Sequence, residues 1–259
     1  MDLRDILVCV DATDAGEGRL RLAAAIAREH SAHLSAAYVL PAANGDRAAE
    51  IADGVERRFR DSVYPHAVAG DWHLFTAGEG ENLVALLKTV DLAVFGQASP
   101  DHRAPSGFRP DDVVMAGGRP VLVIPYAGEF GAIGRRVLVA WDGTREASRA
   151  LHDALPVIAE AKTVIVMTVR TDEASAERIR LSLERVVQHL NRHGIPAQSE
   201  DALRGDIPIS DVLLSRAADF DADLIVAGAY HHSPLREALL GGVSRELLQH
   251  MTVPVLMSH

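Results

Sequence analysis

The chain has 259 residues, a formal net charge of −10 and only 5% aromatic residues. An acidic surface repels nucleic acid and anionic membranes, and few aromatic side chains are available to stack on single-stranded bases, so neither is an expected partner. The single cysteine, Cys9, excludes an internal disulfide and a multi-cysteine zinc site, and we expect it to be buried and inert.

The N-terminal segment carries no targeting pattern. Residues 1–5 include two acids and precede only a short apolar run, which is unlike a secretory signal peptide. No apolar run approaches the ~20 residues that a membrane-spanning helix needs. The sequence therefore predicts a soluble, cytoplasmic protein.

The chain contains an internal repeat. Three patterns occur twice, in the same order and at nearly constant displacement: 6–13 and 137–144, 91–96 and 223–228, and 119–124 and 253–257. The first pair, an apolar run followed by an aspartate and a threonine, is displaced by 131 residues (6 to 137). The repeat predicts two homologous domains, residues 1–127 and 134–259, joined by a glycine-containing segment.

Strands and helices alternate within the second half. Four runs rich in Val, Ile and Leu are too short for helices and are typical of strands buried on both faces: 137–141, 164–169, 224–227 and 255–257. Apolar residues recur at helical spacing over 174–193, and Gly194 ends this predicted helix. The alternation predicts a parallel sheet, in which ligands bind beyond the carboxyl ends of the strands.

Polar side chains directly follow the first predicted strand of each half. They are Asp142 and Thr144 in the second half, and Asp11 and Thr13 in the first. The aspartate could accept hydrogen bonds from a ribose or a base. Alternatively, these side chains could cap the following helix, and taken alone the local pattern favours capping.

Glycines flank the loop after the fourth strand of the second half, at Gly228 and again at Gly241 and Gly242. Glycines placed so let the backbone of a helix N-terminus approach a phosphate, although glycine also serves an ordinary strand-to-helix turn. The adjacent His231 and His232 have no further ligands at metal-binding spacing. We therefore predict no metal site and interpret this histidine pair as surface residues.

No motif makes a positive case for an enzyme. The phosphate-binding loop pattern G-x-x-x-x-G-K-[ST] does not occur, and the dinucleotide-binding pattern G-x-G-x-x-G fails at Leu83. The nucleophile-elbow pattern fails at Glu246. The sequence offers no catalytic constellation of serine, histidine and aspartate, and no paired carboxylates.

Taken with the repeat, these residues resemble the universal stress protein family over essentially the whole chain. The family pattern has an aspartate after the first strand and G-x2-G-x9-G-[ST] after the fourth. The second half matches it at Asp142, Gly228 and Gly241, whereas His231 and Gly242 replace the second glycine and the hydroxyl residue. The resemblance implies two Rossmann-like α/β domains, each a five-stranded parallel sheet in the order 3-2-1-4-5 with helices on both faces.

The resemblance also implies a ligand and an assembly. Some family members bind ATP at this loop, and the corresponding nucleotide-binding residues are Asp142, Val169, Gly228, His231, Gly241, Gly242, Val243 and Ser244. Tandem members pair their two halves within one chain through the fifth strands, and a further homodimer is compatible with this pairing. No catalytic or metal-binding residue is implied.

The first half departs further from the family pattern. Where the second half has its helix N-terminus, the first has Gly107, Phe108 and Pro110, and proline has no N–H to donate. Asp111 and Asp112 follow, and these acids would repel a phosphate. We therefore expect at most one nucleotide site, in the second half.

The leading hypothesis is a stress-response protein that binds an ATP-like nucleotide, protein partners, or both. One alternative is a slow ATP hydrolase with His231 as the base that activates water. The other is an interaction scaffold that binds no nucleotide. The two departures from the glycine pattern leave ATP binding an open question at this point.

Overall fold

The computed structural model describes residues 2–40, 47–76, 78–98, 110–171, 176–229 and 242–259. The chain falls into two units, Met1–Ala132 and Ile133–His259. Within the described ranges, none of the helices is long and apolar enough to cross a membrane.

The first unit alternates strands and helices. Its elements are β1 (Asp5–Val10), α1 (Asp14–His30), β2 (His33–Val39), α2 (Ala48–Val63), a 3₁₀ turn (Tyr64–His66), β3 (Gly70–Phe75), α3 (Gly80–Leu87), β4 (Leu92–Gly96), α4 (Pro110–Gly117) and β5 (Val121–Ile124). The described strands run parallel in the order β3-β2-β1-β4-β5. Helix α1 contacts α2 and α3 contacts α4, as expected when right-handed crossovers place one pair of helices on each face of the sheet.

The second unit repeats this arrangement. Its elements are β6 (Arg136–Ala140), α5 (Arg145–Ile158), β7 (Thr163–Arg170), α6 (Ala176–Arg192), β8 (Ala197–Leu203), α7 (Ile209–Asp219), β9 (Leu224–Gly228), α8 (Val243–His250) and β10 (Val255–Ser258). The described strands are parallel in the order β8-β7-β6-β9-β10. Both units therefore have the strand order 3-2-1-4-5, and the predicted fold class of two Rossmann-like domains is confirmed.

The central strands of each sheet form the core. Leu7 and Val8 of β1 and Leu138 and Val139 of β6 are fully buried, because helices cover both faces of the sheet at these strands. The outermost strands β3 and β8 instead keep exposed positions along their length. This burial pattern explains why the central strands read as unbroken apolar runs in the sequence.

Candidate functional site

The carboxyl edge of the second sheet brings the ends of three strands together. Ala140 of β6 is paired with Met167 of β7 on one side and with Ala227 of β9 on the other. Asp142 follows Ala140 by two positions, and Gly228 directly follows Ala227. Asp142 therefore lies at the edge between the ends of β7 and β9.

Asp142 is exposed and holds the turn that begins α5. Its Oδ1 accepts hydrogen bonds from the backbone N–H of Thr144 at 2.9 Å and from the Thr144 hydroxyl at 2.6 Å. The Thr144 hydroxyl oxygen in turn accepts from the N–H of Ala147 at 3.2 Å and caps the helix, so the capping interpretation is confirmed. The second carboxylate oxygen of Asp142 makes no hydrogen bond with a described residue, which leaves it available to a ligand.

The end of β7 forms one wall of this edge. Val169 is half-buried and paired with Ala202 of β8. The neighbouring Thr168 hydroxyl donates a hydrogen bond to the carbonyl oxygen of Trp141 at 2.5 Å. This bond ties the end of β7 to the residue that precedes Asp142.

Gly228, at the end of β9, packs directly against the backbone of α5. A Cβ at this position would lie 2.5 Å from the backbone N of Ala147 and 2.7 Å from the carbonyl carbon of Glu146. Close-packed backbone cannot yield as a flexible side chain can, so the contact requires glycine. Gly228 therefore has a packing role that is independent of any ligand.

The N-terminus of α8 lies beside the end of β9. The Ser244 hydroxyl is 3.4 Å from the carbonyl oxygen of Gly228, at the long end for a hydrogen bond. Gly242 precedes the helix with φ −66° and ψ 157°, and no side chain caps it. A Cβ at Gly242 would meet nothing within 4 Å, so packing does not require glycine there. An uncapped helix N-terminus offers backbone N–H groups to an anion.

The first unit has a buried ion pair at the corresponding edge. Arg19 Nη2 lies 2.5 Å from Asp11 Oδ2, and the two side chains are only 6% and 7% exposed. Arg19 Nε also donates to the carbonyl oxygen of Cys9 at 2.7 Å, and Cys9 is buried as predicted. A Cβ at Gly96 would overlap the Arg19 guanidinium. Arg19 thus fills the space between the ends of β1 and β4.

The Arg19 charge keeps Asp11 ionised at this edge. Burial raises the pKa of the Asp11 carboxyl, but the Arg19 charge and hydrogen bonds from Thr13 outweigh it, so the net shift of the pKa is downward. Tyr38, buried at the end of β2, has its pKa raised by burial and by the Asp11 charge. An ionised pair and an aromatic ring therefore occupy the first edge.

The two units differ in the residues that set the charge beside the aspartate at each edge. Arg19 corresponds, at the displacement of 131 residues, to Ala150, which is fully buried. Asp142 consequently has no counterpart of the Arg19 cation. Asp14 in the first turn of α1 corresponds to Arg145 in α5, whose side chain is 78% exposed, so the charge at the edge also changes sign. Our sequence predictions used neither difference, although comparing the halves position by position could have found both.

Comparison with known proteins gives a family match for the second half of the chain. Residues 134–259 match the model of the universal stress protein family. This match assigns the second half of the chain to the universal stress protein family.

Solved structures extend the likeness to both halves. A universal stress protein from Archaeoglobus fulgidus DSM 4304 is 16% identical, with 98% of this chain and 95% of that chain covered and a TM-score of 0.77. A protein of unknown function from Pseudomonas aeruginosa PAO1 is 17% identical, with 99% and 92% covered and a TM-score of 0.64. At these identities the likeness is one of fold. No curated protein matches the sequence significantly.

Some of the predicted site residues lie outside the described ranges. They are His231 and Gly241 of the second-half loop, and Gly107 and Phe108 of the first-half loop. Pro110 is the first residue of α4. Among the residues that the structure does describe, no group of three or more histidine, cysteine or acidic side chains is arranged to hold a metal ion.

Proposed function

We propose that this universal stress protein binds an adenine nucleotide at one site per chain, on the carboxyl edge of its second sheet, as part of a stress response. The contrast between the two edges carries the proposal. In the second unit Asp142 is exposed, and Ala150 stands where the first unit has the Arg19 cation. In the first unit Asp11 is buried against Arg19, which takes the space that a ligand would need.

Each part of the second edge has a chemical role in this proposal. Asp142 accepts hydrogen bonds from the ribose or the base, and the backbone at Val169 holds the nucleoside. Gly242, Val243 and Ser244 open α8, and their backbone dipoles favour the negative charge of the phosphates. The support for these roles is position at one edge, together with the family resemblance of the loop.

Charge favours an anion at the second edge over the first. Arg145 presents an exposed guanidinium there, and its Nε bonds Glu146 Oε1 at 2.5 Å. This pairing compensates the buried Glu146 carboxylate, while the guanidinium retains further N–H donors. The first turn of α1 instead carries Asp14 and Glu17, which repel phosphate.

The departures from the family pattern predict weak binding. Gly242 lacks the hydroxyl that the pattern places there, and one hydrogen bond to a charged acceptor is worth about 1.5–3 kcal/mol. That loss corresponds to about tenfold or more in affinity. His231 adds a side chain where the pattern has glycine.

Restoring the pattern tests the proposal. We expect the His231→Gly, Gly242→Ser double variant to bind ATP at least about tenfold more tightly than the native chain in calorimetric titration. The open space at Gly242 accommodates serine, so the chain should fold normally. Adding Asp142→Ala to the double variant should remove the gain. A gain that survives Asp142→Ala, or no gain over a native chain that already binds tightly, contradicts the proposed site.

A further inference from the structure

A groove of about 740 Å³ lies between α5 and α6 on one face of the second sheet. Helix α5 packs mainly over β9 and β10, whereas α6 packs over β7 and β8, so the two helices diverge above β6. In the first unit the corresponding helices α1 and α2 contact each other. Small-molecule sites commonly have volumes of about 300–1,000 Å³, and this groove falls within that range.

One part of the groove is an apolar surface formed by the Trp141 ring and Leu181. The indole Nε1–H of Trp141 donates to the Ser182 hydroxyl at 2.9 Å, which holds the ring in place. Leu181, on the next position of α6, is 43% exposed although it is a large apolar side chain. An aromatic ring or alkyl chain lying on Trp141 and Leu181 would bury apolar area that otherwise faces water.

The groove is also positively charged. Arg178 and Arg185 line it seven residues apart, which is about two turns along the same side of α6. Neither forms an ion pair with a residue that the structure describes. The acid that lines the groove, Glu177, is held by Arg180 at 2.7 Å. Two such guanidinium groups beside an apolar surface attract an anion, even in a chain of net charge −10.

We propose that this groove is a second ligand site, for an organic acid with an apolar body. Arg178 and Arg185 bind the anionic head, and the aromatic or alkyl body lies on Trp141 and Leu181. From Glu177 to His189 the groove follows α6 for about 18 Å at 1.5 Å per residue, enough for a medium-length alkyl chain. The groove adjoins the nucleotide edge at Trp141, which precedes Asp142, but the proposal does not rest on nucleotide binding there.

Fluorescence of Trp141 reports directly on the groove. The chain has two tryptophans, so a Trp72→Phe variant leaves Trp141 as the sole emitter. We expect titration with decanoate or 1-naphthoate to change this emission saturably. Decanol, which lacks the charge, should bind at least about tenfold more weakly, since hydrogen bonds to a charged group are lost.

Matched arginine variants test whether Arg178 and Arg185 bind the anionic head. Arg178→Gln, Arg185→Gln together should weaken decanoate binding at least about tenfold. Arg216→Gln, on α7 and paired with Glu200 and Asp219, does not line the groove and should leave decanoate binding little changed. The proposal is overturned by an unsaturable signal, by equal affinity for decanol, or by an equal effect of Arg216→Gln. Displacement of decanoate by ATP would also overturn it, because the signal would then belong to the nucleotide edge.

Discussion

The buried pair Asp11–Arg19 should make the two equivalent aspartates differ sharply in their effect on stability. Among the described residues, replacing Asp11 by alanine leaves the buried Arg19 guanidinium with only its bond to the Cys9 carbonyl oxygen. Replacing Asp142 by alanine removes an exposed side chain whose described partner is Thr144. The first change leaves a buried cation without its counter-ion, and the second does not.

The burial of each side chain sets the expected magnitude. Both partners of the first-unit pair are less than a tenth exposed, and breaking such a pair costs about 3–5 kcal/mol. That is a large part of the about 5–15 kcal/mol that stabilises a typical domain. Asp142→Ala should cost about 1 kcal/mol, the value of a typical hydrogen bond at a turn.

Urea unfolding followed by tryptophan fluorescence separates the two effects. Trp72 lies in the first unit and Trp141 in the second, so Trp141→Phe and Trp72→Phe backgrounds each report one unit. Relative to its own parent chain, Asp11→Ala should lower the urea midpoint of the first unit by much more than Asp142→Ala lowers that of the second.

A rescue and a pH series sharpen this prediction. Adding Arg19→Ala to Asp11→Ala removes the unpaired buried cation and should recover part of the lost stability. The folded-state pKa of Asp11 is lowered below its ordinary 3.8. The contribution of the pair is therefore present above that pH and is lost as the pH falls through the folded pKa. Equal costs for the two alanine variants, or no rescue, would refute the reasoning.

Three further predictions concern the second unit. Gly228→Ala should destabilise it by about 1–3 kcal/mol in urea unfolding, because the new Cβ meets the backbone N of Ala147. Gly242→Ser should change stability by only a few tenths of a kcal/mol, since the site is open and serine suits a helix N-cap; a large loss there would contradict the structure. Burial, neighbouring histidines and an arginine lower the pKa of His189, so the stability of the folded chain should fall as the pH drops below about 6.5. His189→Gln should flatten this pH dependence, and His250→Gln should not.

The sequence predicted the parts of the fold that depend on local pattern. Central strands such as β6 and β9 were predicted because burial on both faces demands unbroken apolar runs. The strand at 197–203 was not predicted, because its polar sequence reflects its place at the edge of the sheet, with several exposed positions. The pairing of the two halves through their closing strands stays a prediction.

The candidate site was only partly predictable, for reasons of packing. Asp142 and Gly228 could be proposed from the sequence because each stands at or just after the end of a strand. Arg19 lies eight residues from Asp11 inside a helix, and its role becomes visible only when α1 brings it over Gly96. The groove beside Trp141 depends on how far two helices diverge, which the spacing of apolar residues does not encode.

Counting the nucleotide bound per chain tests the central claim, that only the second edge is open to a nucleotide. Calorimetric titration of ATP into the His231→Gly, Gly242→Ser chain should give about one equivalent. The titration should lose its signal with Asp142→Ala and keep it with Asp11→Asn, once circular dichroism has shown that both variants are folded. Two equivalents, or one that disappears with Asp11→Asn and survives Asp142→Ala, would contradict the account.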